Sequence, residues 1–215
     1  MKESFVFDLE GTLVNLELQH QLAFSMVAEA LGVQFGEQDF LKFVGAGDKA
    51  ISVAISQMAG EDCFKVREMK NKAYDDLIRS ASFEPREGVI EYLEKALVLS
   101  GDLVVATLTP ATMAETILIN SGLSPFFKYV LTESDVKNLK PDPEIYVKAA
   151  EKLGVELRKM LVHEDSPAGV MAAILAGSPV AAFPVHDGLN FDPSPSAIFL
   201  SWADVSPGEL YERLT

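Results

Sequence analysis

Residues 17–80 hold no apolar run that reads as a β-strand, yet one such run precedes them and several follow. The leading run, Ser4-Phe5-Val6-Phe7, ends at Asp8 and meets Gly11-Thr12 at once, the pattern of a short buried strand that delivers an acid to a turn. After Pro85, strand-like runs and helical stripes alternate, as a parallel sheet covered by helices requires. The pattern predicts an α/β fold. A doubly wound, mainly parallel Rossmann-like sheet core is expected from residues 1–15 and 84–215, with an inserted all-helical cap domain over residues 16–83. The insertion directly follows Asp8-Leu9-Glu10-Gly11-Thr12, so the cap is expected over the C-terminal strand ends, where open α/β sheets bind ligands.

Inside the helical stretch, Leu18, Leu22, Met26 and Ala30 recur every four residues. Ile51, Ile55 and Met58 make a second stripe, and Val66, Met69, Ala73 and Leu77 a third. In the alternating part, helices are expected over 87–98, 110–120, 143–153 and 167–176, and strands over 103–106, 129–132, 160–163, 180–183 and 197–200. Thr109-Pro110, Asp142-Pro143, Ser166-Pro167 and Ser206-Pro207 each read as a capping side chain followed by proline at the first helical position.

Charge limits the partners. Lys+Arg number 18 against 32 Asp+Glu, and the net charge of −14 repels phosphate backbones and anionic headgroups, so neither nucleic acid nor a membrane is expected as a partner. The one cysteine, Cys63, excludes an internal disulfide and a multi-cysteine zinc site. No run approaches the roughly 20 apolar residues of a membrane span, and a cytoplasmic protein, monomer or homodimer, is expected. Lys65, Arg67, Lys70, Lys72 and Arg79 read as a solvated helix face. His20, His163 and His186 are too scattered to nominate as a metal site.

The predicted strand ends gather the chemistry. Asp8 and Glu10 follow the first strand, Thr107 and Thr109 the second, and Glu164 and Asp165 a later one, while Lys140 precedes helix 143–153. Four carboxylates converging there repel one another unless a divalent cation joins them, and all-oxygen ligands suit Mg²⁺. With Mg²⁺ and Lys140 in place the pocket accepts an anion that the rest of the surface repels, and phosphate is the expected one.

These residues resemble the motifs of the haloacid dehalogenase (HAD) superfamily, in its phosphatase and phosphoglucomutase-like branch with a helical cap. Asp8-Leu9-Glu10-Gly11-Thr12 is similar to its D-x-D-G-T motif. Thr107 closes an apolar strand as its second motif does, Lys140-Pro141 matches the third, and Glu164-Asp165 the acidic pair of the fourth. The resemblance implies a Mg²⁺-dependent phosphomonoester hydrolase of small phosphorylated metabolites. Asp8 is then the nucleophile that forms an aspartyl phosphate, and Glu10 the general acid and base. The metal is expected on Asp8, Glu10 (through its backbone carbonyl) and Asp165, with Glu164 in its outer shell. Thr107 and Lys140 are expected on the transferring group, and Gly45, in the Gly45-Ala46-Gly47 break of the cap, on the substrate. The chain departs from the family at position 10, where Glu is one methylene longer than the usual Asp. That acid argues against the branches that attack carbon or cleave phosphonates. Phosphoglucomutase-like transfer shares every motif, and a non-catalytic phosphometabolite-binding protein is the alternative in which Glu10 has spoiled the acid–base step. Thr109 reads as the cap of helix 110–120, and Lys137 as a surface lysine.

Overall fold

A computed structural model describes residues 3–43 and 47–215. The first strand, β1 (Phe5–Phe7), is followed by four helices, α1 (Glu17–Ala30), α2 (Glu37–Phe40), α3 (Asp48–Ala59) and α4 (Cys63–Ser80). The alternating half runs α5 (Val89–Ser100), β2 (Leu103–Ala106), α6 (Ala111–Asn120), β3 (Phe127–Leu131), α7 (Glu144–Leu153), β4 (Leu161–Glu164), α8 (Pro167–Ala176), β5 (Val180–Ala182), β6 (Ala197–Ile198) and α9 (Pro207–Leu214). Among the described residues the strands form one sheet in the order β3-β2-β1-β4-β5-β6, every pairing parallel. The α/β expectation therefore holds, with element ends displaced by at most two residues. No helix among the described residues is long and apolar enough to cross a membrane.

The strand order matters for the site. The chain winds outward from β1 in one direction through β2 and β3, then restarts beside β1 with β4 and winds the other way. The loops that leave β1 and β4 therefore diverge, and this reversal opens a crevice at their C-terminal ends. β1, β2, β4 and β5 are buried along their whole length, as parallel strands covered on both faces must be. Val6, Val104 and Val162 face a cluster with Ile145, Tyr146, Val170 and Ala173 from α7 and α8. Phe7 and His163 stack on each other, and His163 and Phe183 stack on Trp202.

His163 is fully buried in that aromatic stack. Its Nδ1 lies 3.1 Å from the Val6 carbonyl and its Nε2 lies 2.7 Å from the Tyr92 hydroxyl. A carbonyl only accepts, so Nδ1 carries the hydrogen and Nε2 accepts from Tyr92. Burial pushes the imidazole pKa down to about 3, against the hydrogen bond to Val6. Between that value and the ordinary 6.5 the unfolded chain binds a proton that the fold does not, so this residue's contribution to stability is complete above pH 6.5 and is lost as the pH drops toward 3. The loss should reach about 4 kcal/mol at the acid end, and His163→Leu should remove most of the slope. Urea unfolding from pH 7 to pH 4, followed by fluorescence of the single tryptophan, Trp202, measures it. Parallel curves for the two proteins would refute the assignment.

Residues separate by their contacts into two units, 1–15 with 83–215 and 16–82. In the second unit, Phe24, Val27, Ala28, Phe35, Ile51, Ile55 and Val66 form the core. Two sequence expectations fail there. The Leu18, Leu22 and Met26 stripe of α1 is exposed, because Ala23, Phe24, Val27 and Ala28, offset by one or two residues, are the buried side. Lys70 is no solvated lysine: only 3% exposed, it contacts the Asp48 carboxylate and His20 Nδ1 and lies over the Tyr74 ring. Its stem joins the buried row Val66, Lys70, Tyr74 and Ile78 of α4, where an ion pair and an aromatic face compensate the ammonium.

Candidate active site

Asp8 stands one residue beyond β1, held by its backbone N–H donating to the His163 carbonyl of β4 at 2.9 Å. Glu164 closes β4 and Asp165 follows it. Lys140, in the loop before α7, reaches across all of them. Its ammonium donates to Asp8 Oδ1 at 2.6 Å, to Glu164 Oε1 at 2.7 Å and to the Ala106 carbonyl at the end of β2 at 2.9 Å. One side chain thus ties the ends of β1, β2 and β4 together. Three donors meet three acceptors, so a lysine, not a shorter or planar cation, suits this position.

Glu164 is fully buried and saturated with donors. Oε1 also accepts from the Tyr146 hydroxyl at 2.5 Å, and Oε2 accepts from the Asp165 N–H at 3.2 Å and from the Ser166 hydroxyl at 3.2 Å. Burial, together with the field of Glu164, raises the Tyr146 pKa well above its ordinary value, so the phenol stays a donor. Gly169, in the first turn of α8, packs against this carboxylate: a Cβ there would lie 1.9 Å from Glu164 Oε1. Gly169→Ala should therefore destabilise the protein by about 3 kcal/mol, measured by urea unfolding, and a change below about 0.5 kcal/mol would contradict the contact.

Asp165 is held from the loop after β1. The Thr12 hydroxyl donates to its Oδ1 at 2.9 Å, and Gly11, at φ +85°, approaches so closely that a Cβ would lie 2.1 Å from Oδ2. Both the left-handed backbone and the contact require glycine at position 11. Arg86 fixes the same turn from behind. Its guanidinium donates to the Gly11 carbonyl at 2.6 Å and to the Phe183 and Pro184 carbonyls at 2.5 and 3.1 Å.

The electrostatics are unbalanced. Asp8, Glu164 and Asp165 bring oxygens within 4.8 Å of one another, and Lys140 is the ammonium directly among them. Three carboxylates against one ammonium leave two negative charges. Burial, with repulsion from Glu164 and Glu10, pushes the Asp8 pKa up to about 7 although Lys140 opposes the shift. Burial and the fields of Asp8 and Glu164 raise Asp165 well above the carboxylate range. Burial works against the charge on Lys140, but Asp8 and Glu164 outweigh it and raise its pKa. Hard oxygens carrying a residual charge near −2 are the donor set a small divalent cation needs, and the residues fit one.

Glu10 projects to the neighbouring loop, where the Thr109 hydroxyl donates to its Oε1 at 2.6 Å. Thr109 in turn lies 2.9 Å from the Thr107 hydroxyl. The expected capping role of Thr109 is corrected: α6 begins at Ala111 with Pro110, which has no capping oxygen, at its N-cap, so Thr109 falls one residue too early and its hydroxyl turns to Glu10. The Ser166 cap is present and bonds the Gly169 N–H at 3.1 Å, and Asp142 accepts from the Glu144 N–H at 3.0 Å. Ser206 makes no cap bond. Lys137 is exposed, and Gly45 lies outside the described residues. Tyr146, Thr12 and Arg86 were not legible as site residues. Tyr146 sits on an ordinary buried helix stripe, and nothing in Pro85-Arg86 indicates that its donors cross to the Gly11 turn.

Comparison with known proteins agrees with this arrangement. The family model of the haloacid dehalogenase-like hydrolases matches residues 5–183. A phosphorylated carbohydrates phosphatase of Thermotoga maritima is 31% identical over 181 residues, covering 81% of this chain and 82% of the relative. Validoxylamine A 7'-phosphate phosphatase of Streptomyces hygroscopicus subsp. limoneus is 32% identical over 177 residues, covering 80% and 81%. Among solved structures, CbbY from Rhodobacter sphaeroides in complex with phosphate shares the fold, with a TM-score of 0.77 at 24% identity over 95% of this chain and 96% of that one. With the family matched over the first five strands and over every strand end that supplies an acid, the chain belongs to the haloacid dehalogenase-like hydrolases.

Proposed function

We propose that the protein is a Mg²⁺-dependent phosphatase of small phosphorylated carbohydrates that works through a phosphorylated Asp8. The observation that carries the reading is the surplus of negative charge at the strand ends, where Asp8, Glu164 and Asp165 gather with a single ammonium. The relative named as a phosphorylated carbohydrates phosphatase supplies the substrate class.

The metal would be held by Asp8, Asp165 and the main-chain carbonyl of Glu10, with Glu164 outside because its oxygens are already committed to Lys140, Tyr146 and Ser166. When bound, Mg²⁺ supplies the positive charge that lets a carboxylate approach a phosphate dianion. In the first step an Asp8 oxygen attacks phosphorus, the bond from phosphorus to the sugar oxygen breaks, and that oxygen takes the proton of Glu10. In the second, water attacks the same phosphorus while Glu10, now ionised, takes its proton. The bond from phosphorus to Asp8 breaks, and inorganic phosphate leaves. Lys140 holds the Asp8 carboxylate, and its charge would steady the transferring group.

A panel of sugar monophosphates, assayed for released phosphate, tests the reading. Turnover with Mg²⁺ that is abolished by chelator and restored by added Mg²⁺ is expected. A folded protein that releases no phosphate from any member would overturn it.

A further inference from the structure

Position 10 is where this chain leaves the D-x-D-G-T pattern, and the structure shows what receives the extra methylene. β1 and β2 are parallel neighbours, with Phe7 opposite Val105, so the loops leaving them run side by side. Glu10 lies on the first loop and Thr109 on the second, and they meet at 2.6 Å. Thr109 is buried, and its hydroxyl donates its single proton to Glu10 Oε1. The neighbouring Thr107 hydroxyl, 2.9 Å away, then donates to Thr109, while Thr107 Oγ1 accepts from the Thr109 N–H at 3.2 Å. Thr107 itself is fixed to the sheet by its N–H, which donates to the Leu131 carbonyl at 3.0 Å. The carboxylate of Glu10 is thus referenced, through two hydroxyls, to β2 and β3.

We propose that Thr109 is a positioning residue for Glu10, and that the two are matched in length as a unit. An aspartate would end about 1.5 Å short of the glutamate and lose the bond. The inference rests on the phosphatase reading. It gives the longer acid its own orienting partner, so glutamate at position 10 need not be a defect in the acid–base step.

The test is a double-mutant cycle on a sugar phosphate that the wild type hydrolyses. Thr109→Val keeps the shape and removes the donor, and should lower kcat about 10- to 100-fold with KM within about twofold. Thr109→Ser restores the hydroxyl and should recover most of kcat. In the Glu10→Asp background, Thr109→Val should cost less than about twofold, because the shorter acid no longer reaches it. A Thr109→Val enzyme with wild-type kcat would overturn the inference. So would an equal loss from Thr109→Val in both backgrounds, the mark of a residue that only supports the loop. Should Thr109→Val fail to fold, a Thr109→Ser enzyme as slow as Glu10→Asp would overturn it, and near-wild-type turnover only with glutamate at position 10 would support it. A wild type inactive on every sugar phosphate would sink both this inference and the phosphatase reading. An active wild type indifferent to Thr109 would sink this one alone.

Discussion

Lys140→Met is expected to lower the free energy of unfolding by about 3 to 5 kcal/mol and to abolish turnover. The lysine side chain is 4% exposed, and its partners Asp8 and Glu164 are 10% and 0% exposed, so solvent cannot replace the ammonium once it is gone. Glu164 suffers most, because it keeps the donors from Tyr146 and Ser166 but loses the charge that offsets its own. The folded-state pKa of Lys140 is raised, so its stabilisation is fully present below the ordinary lysine value near 10.5 and is lost only as the pH rises beyond it. The deficit should therefore not shrink between pH 7 and pH 8. Urea unfolding of the metal-free protein measures it, and a loss below about 1 kcal/mol would mean that the strand ends do not depend on this residue.

Asp8→Asn should reduce turnover about 10⁴-fold or more, since an amide oxygen is too poor a nucleophile to form the phosphorylated intermediate. Stability should respond in the opposite sense. The Asp8 pKa is pushed up to about 7, above its ordinary 3.8, so across that interval the fold holds a proton that the unfolded chain has released. The metal-free wild type therefore loses stability as the pH rises through this window, and the neutral amide escapes that loss. Relative to wild type, Asp8→Asn should gain stability between pH 5 and pH 8. Thermal unfolding with chelator present measures the difference, and a constant gap across the range would show that Asp8 is not strained by its surroundings. Residual turnover within tenfold of wild type would remove Asp8 from the nucleophile's place.

Much of this architecture can be read from residue patterns because the physics is local. Fully apolar four-residue runs such as Leu103-Val104-Val105-Ala106 fit only a strand covered on both faces, and β2 spans those residues. The acids at the ends of such strands are visible for the same reason, and the fold brings Asp8, Glu164, Asp165 and Lys140 within bonding distance. What escapes the sequence is long-range. Thr109 before proline fits a helix cap by local rules, and only the adjacency of β1 and β2 assigns its hydroxyl to Glu10. Lys70 has the composition of a surface lysine, and only Asp48, 22 residues earlier, makes its burial tolerable. On α1 the regular spacing of Leu18, Leu22 and Met26 marks the wrong side, because smaller residues, Ala23 and Ala28, flank Phe24 in the buried interface.

The placement of β1 has a consequence for biogenesis. Phe5, Val6 and Phe7 occupy the middle of the sheet, between β2 and β4, yet they leave the ribosome before either neighbour. Their second partner, Leu161–Glu164, follows after most of the chain, a delay of roughly 10 to 30 s at ordinary elongation rates. Throughout that interval a sticky apolar tripeptide waits with one or both flanks unpaired. Asp8 therefore rides on a segment left open to mispairing during synthesis, and a slow ribosome endangers yield.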